Sequence, residues 1–252
     1  MAKKTYGLIG CPLIHSFSSQ YFNRKFAAEH IDAEYVNYEI HDINELSDVL
    51  SVTPSLCGLN VTTPYKEQVI PYLTSIDPTA ASIGAVNVIR ITRDNKGEVT
   101  ELRGYNSDCI GFGRTIEPLL TSQRTAALIL GTGGAAKAIQ AALVKQGIEV
   151  QFVSRRKTAS TLVYEELTRA MVSKHKIIVN CTPAGMYPHV DEAPPFPFRF
   201  VGAGHLCYDL IYNPDETKFM RECAAHGAEV KNGLEMLLLQ AFVSYEIWTS
   251  SR

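Results

Sequence analysis

The sequence contains no apolar run approaching the roughly 20 residues that a membrane-spanning helix needs. Its first residues, MAKKTYGLIGCP, read as the start of a strand and not as a targeting segment. Charge of one sign is also scarce: the net charge is −2 over 252 residues, and the isoelectric point lies near 6.4. The longest basic run, Arg155-Arg156-Lys157, is too short for a nucleic-acid or membrane-surface partner. Six cysteines (11, 57, 109, 181, 207 and 223) never fall into Cys-x-x-Cys spacing. They read as buried thiols of a reducing compartment, with Cys11, Cys109 and Cys207 in the core, and not as a disulfide or zinc framework. The sequence also lacks repeats, a Gly-x-Ser-x-Gly elbow, a P-loop and any metal-ligand spacing. With 46% apolar and 20% charged residues, what remains is a cytoplasmic globular α/β protein of one large or two modest domains.

Short apolar runs alternate with helix-length segments, which predicts a mainly parallel sheet covered by helices. Strands are expected at 6–10, 33–40 and 56–61, with helices over 18–30 and 44–51 between them. The runs 86–91 and 98–104 flank RDNKG and read as a hairpin. In GLNVTTPYKEQV (58–69), Thr63 is the expected N-cap and Pro64 the first helical residue. That places Lys66 in a first turn, where the helix dipole disfavours a cation by roughly 0.3–1 kcal/mol. A second unit begins near Asp108 with a helix to about Leu120. Strands at 125–130, 149–153, 176–180 and 205–211 follow, with a helix expected around 159–171. Residues 193–198, APPFPF, read as a surface loop, and 233–248 as an amphipathic closing helix.

The turn GTGGAA (131–136) lies between a strand and a helix, the context in which glycines let a pyrophosphate approach a helix N-terminus. Gly131, Gly133, Gly134 and Ala135 are the candidate phosphate contacts. NAD sites usually place an acidic residue at the end of the next strand. This chain has Ser154, Arg155, Arg156 and Lys157 there instead. An arginine fork binds a 2′-phosphate that a carboxylate would repel, so the reading is NADP(H), with Arg155 the leading contact. The turn Asn180-Cys181-Thr182-Pro183 is expected to shape the cofactor pocket. Met186 and Met236 are expected to serve as packing or as pocket walls.

Four further clusters place polar groups at strand ends: HSFSS (15–19), GLNVTTPYK (58–66), GAVNVI (84–89) and GYNSDCIGF (104–112). Together with GTGGAA, NCTPAGM, DLIYNP and MLLLQA they occur in an order that resembles the shikimate dehydrogenase (shikimate/quinate dehydrogenase) family, from about Tyr6 to Trp248. The resemblance implies two domains around a deep cleft. The first is a mainly parallel α/β substrate domain over 1–105, completed by 234–252; the second is a shortened Rossmann-like NADP-binding domain over 106–233. It implies NADPH-dependent reduction of 3-dehydroshikimate to shikimate, on the route to chorismate and aromatic amino acids.

Position by position, the resemblance gives Ser16 and Ser18 the substrate carboxylate, with Tyr212 closing that end. Asn60, Thr62, Asn87 and Gln240 fall to the ring hydroxyls or carbonyl, Lys66 and Asp108 form the catalytic acid–base pair, and Gly233 joins Thr182 on the cofactor side. His15 reads as a structural residue of the serine loop. The implied partners are small molecules alone, with no nucleic acid or membrane, in a monomer or homodimer. Three features depart from the family pattern. Ser19 replaces a proline, Val88 and Ser107 stand where threonines are usual, and only about 20 residues separate SRRK from KIIVN. Quinate or dual specificity is one alternative; a catalytically idle NADP(H)-binding regulator is another.

Overall fold

The computed structural model describes residues 3–13 and 17–250. The chain divides into two compact units, Met1–Ser107 with Ala241–Arg252, and Asp108–Gln240. Ser16 and His15 lie outside the described residues.

The first unit contains β1 (Lys4–Gly10), α1 (Phe17–Ala28), β2 (Ala33–Glu39), α2 (Leu46–Val52), β3 (Leu56–Val61), α3 (Tyr65–Gln68), β4 (Ser75–Ile76), α4 (Pro78–Ile83), β5 (Val88–Arg93) and β6 (Val99–Tyr105). Among the described residues its sheet runs β2-β1-β3-β5-β6-β4. Strand β1 pairs parallel with both β2 and β3 and is buried from Thr5 to Gly10, which is why it reads as a near-continuous apolar run. The sheet is mainly parallel, as expected, with β1–β2, β1–β3 and β4–β6 parallel; only β5 runs antiparallel, to both β3 and β6. The expected hairpin is the cause. Asp94 closes it, its carboxylate accepting from the N–H groups of Lys96 (2.8 Å) and Glu98 (3.0 Å).

Beneath this sheet lies an aromatic cluster. Tyr6 stacks on Trp248 (centroids 4.9 Å) and Phe22 on Tyr35 (4.9 Å). The Trp248 indole donates to the Ile89 carbonyl at 3.1 Å, satisfying its one polar atom in the core.

The second unit contains α5 (Ser107–Ile116, its first residue assigned to the first unit), β7 (Ala126–Leu130), α6 (Gly134–Lys145), β8 (Glu149–Ser154), β9 (Thr161–Val163), α7 (Arg169–Lys174), β10 (Ile177–Asn180), β11 (Leu206–Asp209), α8 (Lys218–Ala225), β12 (Glu229–Lys231) and α9 (Leu234–Thr249, whose residues from Ala241 belong to the first unit). Its sheet is parallel in every pairing and ordered β12-β11-β10-β7-β8-β9. That is the doubly wound order, and it reverses between β7 and β10, where such folds bind their ligands. The expected helix at 159–171 is not formed. Thr161–Val163 is a strand against β8, a single 3-10 turn follows, and α7 begins only after Thr168, whose hydroxyl accepts from the Met171 N–H. Residues 155–160 join β8 to β9 without a crossover helix. The domain is short because this helix is missing, while the strand order is complete.

Other expectations also change. The APPFPF segment is a loop, but it buries Phe196 and packs Phe198 on the core. Helix α9 is not amphipathic in the expected sense, because its outward face carries Leu234, Leu238 and Phe242. Cys11 is half-buried and packs at the margin of the core with its thiol 3.5 Å from His41 Nδ1, whereas Cys109 and Cys207 are buried.

Candidate active-site residues

In the first unit the strand ends bring several of the candidate residues into one buried polar network. Asn60 ends β3, and its Oδ1 accepts from the Tyr35 hydroxyl at 2.8 Å. Its Nδ2 donates to the Asn87 carbonyl (3.2 Å) and to Ser244 Oγ (3.0 Å). Asn87 donates through Nδ2 to Ser107 Oγ (3.0 Å) and accepts from the Ser107 N–H at Oδ1 (2.7 Å). The Ser107 and Ser244 hydroxyls are 3.1 Å apart. Ser18 hydrogen-bonds the Tyr35 oxygen; this opposes, but does not overcome, the burial that holds the phenol far above its usual titration range. Ser18, Asn60 and Asn87 are thus linked through Tyr35, Ser107 and Ser244. The backbone supports the same arrangement, since Val61 N–H also donates to the Asn87 carbonyl and Asn87 N–H to the Tyr105 carbonyl.

Thr62 follows β3 with its N–H on the Ile9 carbonyl (2.9 Å), and its own carbonyl takes the Tyr65 N–H. Lys66 is half-buried, and its carbonyl accepts from Val86 N–H at 2.8 Å, which holds the turn one residue from Asn87. The helix here differs from the expected one. Pro64, not Thr63, occupies the N-cap, no side chain caps it, and α3 has four residues before Pro71 interrupts the backbone pattern. Such a helix is about 6 Å long and has a far smaller macrodipole than the full helix the sequence suggests.

Asp108, Tyr212 and Gln240 belong to the second unit. Asp108 is buried in the first turn of the ten-residue α5, where a negative charge suits the helix dipole. Tyr212 is half-buried after β11, and burial raises its phenol pKa. Gln240 lies on α9, its amide donating to the Leu237 carbonyl at 3.1 Å. A Cβ at Gly111 would come within 3.0 Å of the Gln240 backbone nitrogen, so glycine at this place in GYNSDCIG lets α5 approach α9 closely.

The dinucleotide candidates gather at the strand ends beside the order reversal. Gly131 follows β7 at φ +110, and a Cβ there would lie 3.2 Å from the Cys181 carbonyl oxygen. Gly133 is the N-cap of α6, and a Cβ built on it meets no described atom within 4 Å, leaving room for a phosphate. Gly134 and Ala135 form the first turn of α6, and buried Ala136 packs where a third glycine often stands. The turn after β10 is fixed by Asn180, whose Oδ1 accepts from both the N–H (3.0 Å) and the hydroxyl (2.7 Å) of Thr182. Asn180 in turn donates to buried Asp209, which also accepts from Thr217 and from Ile211 N–H. Burial nevertheless pushes Asp209 up to about 6.

After β8, Ser154 Oγ accepts from Arg156 N–H (3.4 Å), and the Thr161 hydroxyl ties the loop to the Arg156 carbonyl (3.2 Å). Lys157 pairs with Glu166, whereas Arg155 and Arg156 are exposed and have no carboxylate partner among the described residues. The donor set fits a nucleotide with a 2′-phosphate. Gly233 sits after β12 with its N–H on the Ile211 carbonyl, on the same side of the unit as Tyr212. Met236 is buried and Met186 about half-exposed.

The family model described as shikimate dehydrogenase substrate binding domain matches residues 8–89. A Desulforamulus reducens protein named shikimate dehydrogenase (NADP(+)) is 34% identical over 267 residues, covering 96% of this chain and 89% of that protein. The chain belongs to the shikimate dehydrogenase family. It is also similar to a solved Thermus thermophilus shikimate 5-dehydrogenase in complex with NADP(H) and shikimate (26% identity, 98% of this chain and 93% of that one, TM-score 0.83). A quinate dehydrogenase from Corynebacterium glutamicum in complex with NAD matches equally well in shape (25% identity, 98% and 94%, TM-score 0.83). Backbone shape therefore does not separate the two substrates or cofactors; side chains must.

Of the departures from the shikimate dehydrogenase pattern, Ser107 keeps the hydroxyl of the usual threonine and uses it on Asn87 and Ser244. Val88 is fully buried in the aromatic cluster, an apolar setting that suits its methyl. Ser19 accepts weakly from Asn23 (3.4 Å). Tyr35 and Ser244 escape a motif reading. Ser244 lies one helical turn after Gln240, a spacing visible in the sequence. Tyr35 becomes recognisable only when β1 is known to pair with both β2 and β3.

Proposed function

We propose that the chain is an NADPH-dependent dehydrogenase that reversibly reduces 3-dehydroshikimate to shikimate, in chorismate and aromatic amino-acid biosynthesis. The observation that carries this reading is the presence of the polar side chains the chemistry needs in a chain matched over 96% of its length by a relative named for that activity. The first unit supplies hydroxyls and amides for a polyhydroxylated ring. Ser16 and Ser18 hold the carboxylate, Tyr212 closes that end, and Asn60, Thr62, Asn87 and Gln240 take ring oxygens. Lys66 gives a proton to the carbonyl oxygen in reduction and removes it in oxidation, with the Asp108 carboxylate as its partner. Gly131, Gly133, Gly134, Ala135, Thr182 and Gly233 form the dinucleotide seat, and Ser154, Arg155 and Arg156 hold the 2′-phosphate. NADPH, when bound, supplies the hydride.

Quinate dehydrogenation is the second reading, favoured by the equal structural match to the quinate enzyme. The arginine pair after β8 argues against the NAD named for that protein. A regulatory module that binds NADP(H) without turnover has less support, because Lys66 and Asp108 are both retained. The reading implies small-molecule partners alone, a cytoplasmic location and a monomer or homodimer. Among the described residues no helix is long and apolar enough to cross a membrane. The test is NADP-dependent oxidation of shikimate by the wild type and by Lys66→Ala. The variant should lose about 100-fold or more in kcat with KM little changed, the scale of a lost acid–base group. Near-wild-type kcat in the variant would remove Lys66 from its role.

A further inference from the structure

The direction of each hydrogen bond around Asn60 follows from groups with no choice. The Asn87 carbonyl can only accept, so the amide nitrogen of Asn60, and not its oxygen, must face it at 3.2 Å. The amide oxygen then faces Tyr35, whose hydroxyl must donate. The other Asn60 N–H goes to Ser244 Oγ. Both N–H groups are therefore used inside the protein, and one lone pair on Oδ1 remains. Asn87 differs. The Ser107 N–H can only donate, which fixes its Oδ1, and its Nδ2 spends one N–H on Ser107 Oγ. Asn87 keeps one donor and one acceptor; Asn60 keeps an acceptor alone. Tyr35, Asn60, Ser107 and Ser244 are all buried, so water does not rescue a mispaired amide.

We propose that Tyr35 and Ser244 are positioning residues that hold Asn60 as an acceptor-only contact, so that it recognises a substrate ring hydroxyl as a donor and discriminates against groups that cannot donate there. This rests on the reading of the chain as a shikimate dehydrogenase. It narrows the role of Asn60 from hydroxyl or carbonyl to hydroxyl, and it makes selectivity depend on two side chains behind the contact.

The test uses the full chain, NADP, shikimate, and shikimate analogues in which each ring hydroxyl in turn is replaced by fluorine, which cannot donate. Tyr35→Phe removes one hydroxyl and keeps the ring stacked on Phe22. The wild type should discriminate against one non-reacting-position analogue by about 10-fold or more in kcat/KM. Tyr35→Phe should raise the KM for shikimate about 3- to 10-fold, the scale of one hydrogen bond. It should leave kcat within about twofold and the NADP KM unchanged, and shrink the discrimination against that one analogue by a similar factor. Ser244→Ala releases an Asn60 N–H and should weaken discrimination against the same analogue; it serves also if Tyr35→Phe does not fold. Equal losses on shikimate and all analogues would make Tyr35 merely structural and overturn the proposal, as would a fall in kcat at constant KM. A wild type that discriminates against no analogue while turning over shikimate overturns the proposal alone. A wild type inert towards shikimate overturns the functional reading, and this inference with it.

Discussion

Replacing Arg155 with alanine isolates the basis of cofactor choice, because the side chain has little else to do. It is exposed just after β8 and has no carboxylate partner among the described residues. Its removal should therefore change stability by no more than about 0.5 kcal/mol, the range of an ordinary surface substitution. A hydrogen bond to a charged group contributes roughly 1.5–3 kcal/mol when shielded, and exposure trims this to about 1–2 kcal/mol. At about 1.4 kcal/mol per factor of ten, the KM for NADP should rise roughly 5- to 30-fold. The KM for NAD, which lacks the phosphate, should move less than about twofold. Steady-state rates with shikimate saturating and either cofactor varied give both numbers. The NADP penalty should also shrink as salt rises, since the contact lies at the surface. The Arg155→Ala/Arg156→Ala double variant should lose more than either single one. Equal losses for the two cofactors, or none for NADP even in the double variant, would place the 2′-phosphate elsewhere.

Two further predictions concern the second unit. Asp209 titrates near 6 in the folded chain and near 3.9 unfolded, so between those values the native state holds a proton that the unfolded state has released. Its contribution to stability is complete below about pH 4 and is lost as pH rises through 6, a change of about 3 kcal/mol. Denaturant unfolding of wild type and Asp209→Asn at pH 4 and pH 7 should show this difference between the two proteins; parallel pH profiles would contradict it. Gly131→Ala forces a Cβ onto a backbone at φ +110, 3.2 Å from the Cys181 carbonyl oxygen. It should cost about 1–3 kcal/mol of stability and weaken NADP binding, as followed by thermal unfolding and nucleotide titration. A variant as stable as the parent would show that the turn relaxes freely.

Much of this was legible in the sequence where local signals agree. Strand β3 has the expected bounds, the RDNKG turn forms the expected hairpin, and Gly131 and Gly133 stand just after β7 and at the start of α6. The misreadings occur where local propensity competes with longer-range structure. Thr161-Leu162-Val163 sits inside an apparently helical stretch, but β8 offers an unpaired edge and three residues suited to a strand take it. The Thr63-Pro64 signature suggests a full helix start, yet the helix runs for a single turn before the 3-10 turn that contains Pro71, so its dipole at Lys66 is weaker than the sequence implies. Phe196 and Phe198 lie in a proline-rich loop whose composition suggests solvent, while their rings fill the core beside Phe219. The network behind the substrate candidates joins β2, β3, the approach to β5, the start of α5 and α9. No single motif spans that set; the Gln240–Ser244 spacing is visible in the sequence, but Tyr35 and the connections between these residues emerge only from the folded chain.

The substrate and cofactor are tested together by absorbance at the reduced-nicotinamide band, with the purified chain given shikimate or quinate and NADP or NAD in all four combinations. Strong turnover is expected with shikimate and NADP, and far weaker rates in the other three combinations. Turnover mainly with quinate or with NAD would contradict the specificity assigned to the residues after β8 and around Asn60. No turnover in any combination would contradict the dehydrogenase reading itself.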